Sequence, residues 1–371
     1  MPHNNAAGSR SASSLNPATV KREVEPGLVD ITATLKYDSE TAEGTGMIVS
    51  ASGLVLTNNH VIDGATAVSV ALADDQGQTY QARVVGYDST GDIALLQLDG
   101  ASGRATVRFG NSSQVKVGAA VLALGNAEGR GGVTPAPGYI DALNRSIQAS
   151  DQGSGNIEDL NHMLQTNAQI EQGDSGGALA NNAGQVIGMV TAANTPDQSG
   201  PSGGTIGFAI PINSALAVAR QIALGQASSS VYIGVPGFLG VQVAQSSSPD
   251  PQQQAADEQQ SGNGHGAPGF GGGDGLGCVN GGQEPEVPST IAPASTGALI
   301  VGILCGTAAE AQGLAAGDVI TAVSGQAVTT PGSLTDITAR YHPGDVVSVS
   351  WEDTSGGRHT RSITLGSGPA R

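Results

Sequence analysis

The segment Gly-Asp-Ser-Gly-Gly at residues 173–177 constrains the fold of this chain more than any other stretch. Two apolar residues, a turn and the apolar run 186–190 follow it, an order typical of a tight turn between strands. The glycines leave room for a substrate carbonyl and let backbone N–H groups turn outward. We therefore predict that the N–H groups of Gly173 and Ser175 form an oxyanion hole. With Ser175 as the nucleophile, the chain must also supply a base and a group that orients the base.

A histidine and an aspartate in the N-terminal half match these two requirements. His60 is the one histidine of six that ends an apolar strand and begins another apolar pair. Asp92 stands at the mouth of the apolar run 93–96, where a buried carboxylate needs a partner. An imidazole N–H is a suitable partner, and it would hold His60 in the tautomer that presents its other nitrogen to Ser175. A structural histidine and a turn-capping aspartate are the alternatives, but the order His60, Asp92, Ser175 favours a catalytic triad.

Short apolar strands separated by glycine turns fill much of the remaining sequence. Such runs begin near Leu28 and recur up to residue 210, and a helix is predicted from Asn213, as its cap, to Gly225. This spacing predicts a mostly β fold, either a sandwich or a barrel. Residues 1–25 are predicted to be a flexible polar tail. Residues from about 246 to 290 are predicted to be a disordered Gly/Gln/Pro/Ser-rich insertion.

The composition excludes several functional classes. A formal net charge of −17 on 371 residues disfavours nucleic acid and anionic membrane surfaces as partners. No apolar run reaches the length of a membrane span, and the first residues show no signal-peptide pattern. Cys278 and Cys305 are too few and wrongly spaced for a metal site, so we expect no metal and no cofactor. A disulfide between the two cysteines and a membrane anchor outside these residues both stay open at this point.

Together these motifs resemble the HtrA (DegP-like) family of chymotrypsin-fold serine proteases with a C-terminal PDZ domain. The resemblance rests on TNNHV at 57–61, GDIALL at 91–96 and the segment 173–177, and it continues through FLGV at 238–241 and GLAAGDVI at 313–320. It implies a double six-stranded β-barrel over residues 26–226, with the triad in the cleft between the barrels. It also implies a PDZ domain of the α+β class over residues 227–371, which would contain the insertion.

By the same resemblance, a substrate pocket lies beside the nucleophile. Its base is set a few residues before Ser175, where no aspartate stands to recognise Lys or Arg, and its opposite wall is apolar. We expect it to admit small or branched aliphatic side chains, while the substrate backbone pairs with the strand that continues from residue 190. The predicted pocket residues are Gln169, Ile170, Val190, Thr191, Ala192, Ile206, Gly207 and Phe208. The alternative is that these residues, and Phe208 in particular, fill the second barrel.

The PDZ resemblance predicts a second binding site. The predicted carboxylate-binding loop is Phe238, Leu239, Gly240 and Val241. The glycine lets successive N–H groups point into one hollow, which binds the carboxylate of a peptide that adds as a strand. The last side chain of the peptide would lie between this loop and a helix that carries Leu334 and Ile337. A plain hydrophobic strand is the alternative.

The resemblance implies a serine endopeptidase of protein quality control and the stress response. It would cleave unfolded or damaged proteins outside the cytoplasm, in the periplasm or cell envelope, and it would bind C-terminal peptides. A homotrimer is usual in the family. A latent protease that acts mainly as a chaperone or peptide-binding protein is the alternative. The chain departs from the usual family sequence at Asp174, where the family often has asparagine. The charge of Asp174 needs an internal partner that the sequence does not identify.

Overall fold

The computed structural model of the chain describes residues 15–37, 39–73, 78–126, 132–150, 157–193, 206–261, 278–279 and 287–370. The chain divides into two compact units. The first unit contains most of the residues up to Ile233, and the second contains Gly234 onward together with the short segments 33–42 and 62–67.

The N-terminal barrel, most of whose residues belong to the first unit, brings His60 and Asp92 together. Its strands are β1 Leu28–Leu35, β2 Glu40–Ile48, β3 Leu54–Thr57, β4 Ala67–Leu72, β5 Thr79–Asp88 and β6 Ile93–Leu98. They pair in the order β5-β4-β1-β2-β3-β6, and a further pairing of β5 with β6 closes the ring. Since β3 and β6 are antiparallel neighbours, with Thr57 opposite Ala94, the end of β3 lies beside the start of β6. His60 follows the first of these ends, and Asp92 precedes the second.

The second barrel carries Ser175 and Thr191. Its strands are β7 Ala120–Gly125, β8 Thr134–Ser150, β9 Ile157–Thr166, β10 Ala178–Asn181, β11 Val186–Ala193 and β12 Gly207–Pro211. They close in the order β10-β11-β12-β9-β8-β7. Ser175 lies in the turn before β10, and Thr191 lies on β11, the strand that pairs with β10. The predicted mostly β fold with two six-stranded barrels is therefore confirmed.

A helix occupies part of the segment that the sequence predicts as a flexible tail. Helix α1 spans Pro17–Val24, and the Asn16 side chain caps it by accepting the Thr19 N–H at 3.1 Å. Val20 and Val24 lie one turn apart and are fully buried in the main apolar cluster of the first unit. The prediction of a tail up to residue 25 is therefore wrong for this stretch, while residues 1–14 lie outside the described residues.

The end of the first unit also differs from the prediction. Helix α2 spans Ile212–Ala223, and Gly225 follows it with φ +68°. Asn213 is not its cap: it lies inside the first turn, where its N–H donates to Ser112 Oγ at 3.1 Å. The chain then forms β13, Val231–Ile233, which pairs with β5 at the edge of the N-terminal sheet. The first unit therefore ends at Ile233 and not at residue 226.

In its described residues, the second unit is a small sheet with three helices. Its elements are β14 Gly237–Phe238, β15 Val241–Val243, α3 Pro251–Ser261, β16 Ala298–Ile303, α4 Ala308–Gln312, β17 Val319–Val323, β18 Gln326–Ala327, α5 Pro331–Thr338, β19 Val346–Glu352, β20 Arg358–Thr364 and β21 Gly366–Ser367. The main sheet has the order β15-β16-β17-β19-β20, while β18 pairs with β17 and β14 pairs with β21. The strand β15 is thus an edge strand.

Helix α3 lies within the segment that composition predicts to be disordered. Its Gln254 is fully buried: the amide donates to Gly297 O at 2.7 Å and to Ser248 O at 2.8 Å, and its oxygen accepts the Leu299 N–H at 2.9 Å. A single side chain therefore satisfies backbone groups at the start of β16, as a neighbouring strand would. The disorder prediction is wrong for residues 251–261, and residues 262–277 and 280–286 lie outside the described residues.

Cys278 and Cys305 form a disulfide across 27 residues of sequence. Next to it, the Val279 N–H donates to Ile303 O at 2.7 Å, and the Cys305 N–H donates to Val279 O at 3.1 Å. The bridge and these two hydrogen bonds fasten residues 278–279 to the end of β16.

Candidate active site

Asp92 is the buried centre of the site. The residue is fully buried and adopts φ +52°, a backbone conformation that is rare outside glycine. The side-chain amide of Asn58, also fully buried, donates to the Asp92 carbonyl at 2.9 Å and so supports this conformation. The His60 backbone N–H donates to Asp92 Oδ1 at 3.1 Å.

The imidazole of His60 faces this carboxylate. His60 Nδ1 lies 3.0 Å from each of the Asp92 oxygens. Since a carboxylate accepts hydrogen bonds, Nδ1 carries the proton, and Nε2 is the nitrogen available as a base. Burial of Asp92 with a partly exposed imidazole beside it is the arrangement that orients a histidine for proton transfer.

Thr191 connects the two barrels at this point. Its hydroxyl donates to Asp92 Oδ2, and its backbone carbonyl accepts a hydrogen bond from Ser175 Oγ at 3.0 Å. The sequence predicts Thr191 as a pocket residue and misses its contact with Asp92. The contact depends on how the second barrel approaches the first, and no local pattern reports that approach.

The turn before the nucleophile has the geometry of a type II turn. The Asp174 N–H donates to Glu171 O at 3.1 Å, and Gly173, the third residue of the turn, has φ +94°. The Asp174 carbonyl accepts the Gly177 N–H at 2.9 Å, so the Ser175 N–H of the same trans peptide points the opposite way. Among the described residues, neither the Gly173 nor the Ser175 N–H enters a hydrogen bond. The hydrogen bonds of the turn itself therefore do not use the two predicted oxyanion donors.

Asp174 has a partner that the sequence does not reveal. Its Oδ2 accepts the Glu171 N–H at 2.9 Å, while Oδ1 is buried against Gly125 and has no hydrogen-bond partner among the described residues. Burial is the main cause that raises the pKa of this carboxyl to about 6, the Glu171 N–H opposes it, and the Glu171 charge adds to it.

Comparisons with known proteins agree with this geometry. Residues 44–189 match the trypsin-like peptidase domain family. The chain is 31% identical to the serine protease PepD of Mycobacterium tuberculosis, over 97% of this chain and 69% of that protein. The chain belongs to the HtrA/DegP-like family of serine endopeptidases.

Two further relatives are similar over shorter parts of their length. A probable periplasmic serine protease (do/HhoA-like) of Haemophilus influenzae is 34% identical, over 83% of this chain and 55% of that protein. The periplasmic pH-dependent serine endoprotease DegQ of Escherichia coli is 42% identical over 48% of this chain and 37% of that protein. A solved structure of the HtrA-type protease AlgW with a decapeptide has a TM-score of 0.47 and 27% identity, over 96% of this chain and 100% of that one.

In this HtrA/DegP-like chain, the predicted pocket residues divide into surface and core. Gln169 is exposed, and Ile206 is half-buried. Ile170 is buried in the core of the second barrel, and its Cδ1 lies 2.4 Å from where a Cβ on Gly207 would stand. Phe208 is buried in the other apolar cluster of the first unit. Val190, Thr191 and Ala192 lie on β11, where Ala192 is opposite Phe208.

The predicted carboxylate loop of this HtrA/DegP-like chain lies at an open cleft in the second unit. The cleft is lined by Pro236, Gly237, Phe238, Leu239, Gly240, Val241, Val243, Leu334, Thr335, Thr338, Ala339 and Pro369, all uncharged. Ile337, predicted to face it, does not line it and is buried in the apolar core of the unit. The Leu239 and Gly240 carbonyls accept N–H groups of Ala309 (2.9 Å) and Leu304 (3.0 Å).

Neither a metal site nor a membrane helix is found in the described ranges. Their His, Cys, Asp and Glu side chains form no group of three that could hold a metal ion. Every helix in these ranges is too short or too polar to cross a membrane.

Proposed function

We propose that the chain hydrolyses peptide bonds through an acyl-enzyme, with Ser175 as nucleophile, His60 as base and Asp92 as the group that orients His60. The contact of His60 Nδ1 with both Asp92 oxygens at 3.0 Å carries this proposal, because it leaves Nε2 to accept the serine proton. As Ser175 Oγ bonds to the substrate carbonyl carbon, its proton passes to Nε2, which then gives it to the leaving amine. Water deacylates the enzyme by the same route in reverse.

The oxyanion of each tetrahedral intermediate would be held by the N–H groups of Gly173 and Ser175. The positive φ of Gly173 and the bond from Gly177 to the Asp174 carbonyl support this assignment. The donors are fixed before the substrate arrives, so their reorientation costs nothing during the reaction.

We infer that the substrates are extended segments of unfolded or damaged proteins. On the side of β11 that faces Ser175, the pairing with β10 extends only as far as Met189. The next residue, Val190, forms backbone hydrogen bonds with Gly176 and Gly177 of the nucleophile turn. A substrate strand could pair along the continuing edge from Thr191. The position of Ile170 across Gly207 supports a shallow pocket for small or branched aliphatic side chains.

A casein digest compared between the wild type and Ser175→Ala tests the catalytic assignment. We expect the substitution to lower the rate by several orders of magnitude. Ser102→Ala, on an exposed serine of the same unit, is the matched control and keeps the rate. Full turnover by purified Ser175→Ala would reject Ser175 as the nucleophile. Intact protein that fails to cut any unfolded substrate would favour the latent, peptide-binding alternative.

We also propose that the second unit is a PDZ domain that binds C-terminal peptides beside β15. In a trans peptide the N–H points away from the C=O, so the carbonyl bonds of Leu239 and Gly240 direct the N–H groups of Gly240 and Val241 away from Ala309 and Leu304, respectively. These donors support capture of a carboxylate, and the uncharged cleft supports apolar final residues.

Fluorescence anisotropy with free-acid and amidated forms of one apolar peptide tests this site. We expect the free acid to bind at least 10-fold more tightly, since a charged acceptor forms the stronger hydrogen bonds. Thr335→Glu, which puts a negative charge in the cleft, abolishes the difference, while Asp336→Asn on the exposed side of α5 does not. Equal binding of both forms would reject carboxylate recognition. Gly240 is unsuitable as a probe, because a Cβ there would stand 2.1 Å from the Thr307 Cβ.

An extracytoplasmic location completes the proposal. The disulfide suits an oxidising compartment, and the relatives from Haemophilus influenzae and Escherichia coli are described as periplasmic. A homotrimer and a membrane anchor outside these residues belong to the same proposal. Light scattering after size exclusion tests the trimer, and a monomer mass would reject it.

A further inference from the structure

We propose that Thr45 is a positioning residue of the active site, which holds the peptide groups on both sides of the nucleophile so that the N–H groups of Gly173 and Ser175 face the substrate. This inference rests on the oxyanion hole and the nucleophile proposed above. It assigns a role to a residue of β2 in the N-terminal barrel, far from Ser175 in sequence.

Thr45 is fully buried, and each of its hydrogen-bonding groups is used. Its hydroxyl donates to Gly173 O at 2.7 Å and accepts the Asn126 N–H at 2.9 Å. Its backbone N–H donates to Ser175 O at 2.8 Å, and its carbonyl accepts the Thr57 hydroxyl at 2.7 Å. One residue therefore binds the carbonyls of both Gly173 and Ser175, one residue on either side of Asp174.

These bonds fix the peptide planes that surround the oxyanion donors. The plane between Gly173 and Asp174 is held at its carbonyl by Thr45 and at its N–H by Glu171 O, at 3.1 Å. A planar peptide held at both ends resists rotation. Because this plane is fixed, the φ of +94° at Gly173 determines the direction of the Gly173 N–H. Loss of the Thr45 hydroxyl frees one end of that plane and lets the turn change type.

The nucleophile turn and strand β2 are in direct van der Waals contact. A Cβ on Gly176 would stand 1.9 Å from the Thr45 carbonyl oxygen and 2.3 Å from the Thr57 hydroxyl. β2 is thus seated directly on the nucleophile turn. The Thr45 side chain is the part of that contact that reaches the Gly173 carbonyl.

The test compares Thr45→Val, which removes the hydroxyl at nearly constant shape, with Thr45→Ser, which keeps it. Ser112→Ala is the control, because it removes a buried hydroxyl of the same unit that accepts the Asn213 N–H at 3.1 Å and, among the described residues, bonds neither to Thr45 nor to the nucleophile turn. We measure kcat and KM on a peptide ester, and the affinity for a peptide boronate whose tetrahedral adduct needs the oxyanion donors.

We expect Thr45→Val to lower kcat about 100-fold and the boronate affinity by a similar factor, with KM changed less than about 2-fold. The midpoint of the pH profile of kcat/KM stays in place, because the contact of His60 with Asp92 is untouched. Thr45→Ser restores kcat to within about 3-fold, and Ser112→Ala keeps the wild-type kcat. Thr45→Cys, with a weaker donor of similar size, gives an intermediate kcat and serves if Thr45→Val does not fold.

Three results would overturn the role of Thr45. These are a wild-type kcat in Thr45→Val, a loss of kcat without a loss of boronate affinity, and an equal loss of kcat in Ser112→Ala. Failure of the underlying assignment is recognised separately: the wild type would then hydrolyse the ester, and Ser175→Ala would hydrolyse it as well.

Discussion

At the scale of single residues, the oxyanion turn depends on an aspartate that the fold keeps almost out of water. Asp174 closes the turn through the Glu171 N–H, yet its second oxygen is buried without a partner among the described residues. The sequence singles Asp174 out as a charge in need of a partner. Its backbone partner could not be predicted, because it exists only once the turn has formed.

Asp174→Asn makes the stability of the first unit less dependent on pH. Burial raises the pKa of the folded carboxyl from 3.8 to about 6, so stability is full below about pH 4 and falls as pH rises towards 6. We expect the asparagine variant to match the parent at pH 4 and to be more stable by about 1–3 kcal/mol at pH 8.

Denaturant unfolding at the two pH values measures this difference, in a Ser175→Ala background that cannot digest itself. Asp141→Asn, on an exposed strand position of the same unit, is the control and shows no such trend. An asparagine variant that is no more stable at pH 8 than its parent would contradict a buried, partly protonated Asp174.

At the scale of elements, the same turn occurs twice. Ala315–Asp318 repeats the pattern of Glu171–Asp174: the Asp318 N–H donates to Ala315 O at 3.2 Å, its carboxylate accepts the Ala315 N–H at 3.0 Å, and Gly317 has φ +94°. Burial again raises the pKa of the aspartate to about 6. The sequence predicts both turns, since a glycine before an aspartate provides the positive φ and then the acceptor.

The two unpredicted helices show where sequence patterns stop. The sequence of α1 contains helix signals: Asn16 as the cap, Pro17 at the first helical position and valines one turn apart. The polar composition of the segment makes these signals easy to overlook. α3 carries a similar start signal, since Asp250 Oδ1 accepts the Gln252 N–H at 2.9 Å and Pro251 follows, but two partners of its buried Gln254, the Gly297 carbonyl and the Leu299 N–H, lie more than 40 residues away in sequence. A strand such as β6 is predicted from its apolar run at 93–96, because that run alone defines it.

Gln254→Ala weakens the second unit. The substitution leaves the Gly297 carbonyl and the Leu299 N–H at the start of β16 without their partner, so we expect a loss of about 2–4 kcal/mol in the free energy of unfolding. Gln253→Ala removes an exposed glutamine of the same helix and costs less than about 0.5 kcal/mol. Thermal unfolding followed by calorimetry compares them, and equal melting temperatures would show that α3 does not support the sheet.

At the scale of the whole molecule, each unit has apolar clusters of its own among the described residues. The clusters of the first unit and those of the second involve different parts of the chain. We therefore expect calorimetry of Ser175→Ala to resolve two unfolding transitions, of which Gln254→Ala shifts one. A single transition that moves as a whole would show that the units unfold together.

The disulfide stabilises the second unit by restricting its unfolded chain. With the cysteines 27 positions apart in sequence, replacing both by serine is expected to cost about 3 kcal/mol in that transition. Mass spectrometry after alkylation without reductant first establishes the bridge on protein from an oxidising compartment, where no thiol reacts. Two alkylated cysteines in such protein would contradict it.

Ser175 Oγ donates a hydrogen bond to the Thr191 carbonyl, on the strand edge where we propose that substrate binds. We expect a peptide that pairs there to compete for that carbonyl and to release the hydroxyl towards His60. A small sulfonyl fluoride offers no backbone N–H to the Thr191 carbonyl. In its presence the Ser175 hydroxyl therefore keeps its hydrogen bond to Thr191. In this resting state Ser175 would react slowly with small electrophiles in the surroundings. It would become reactive mainly when a protein substrate is bound.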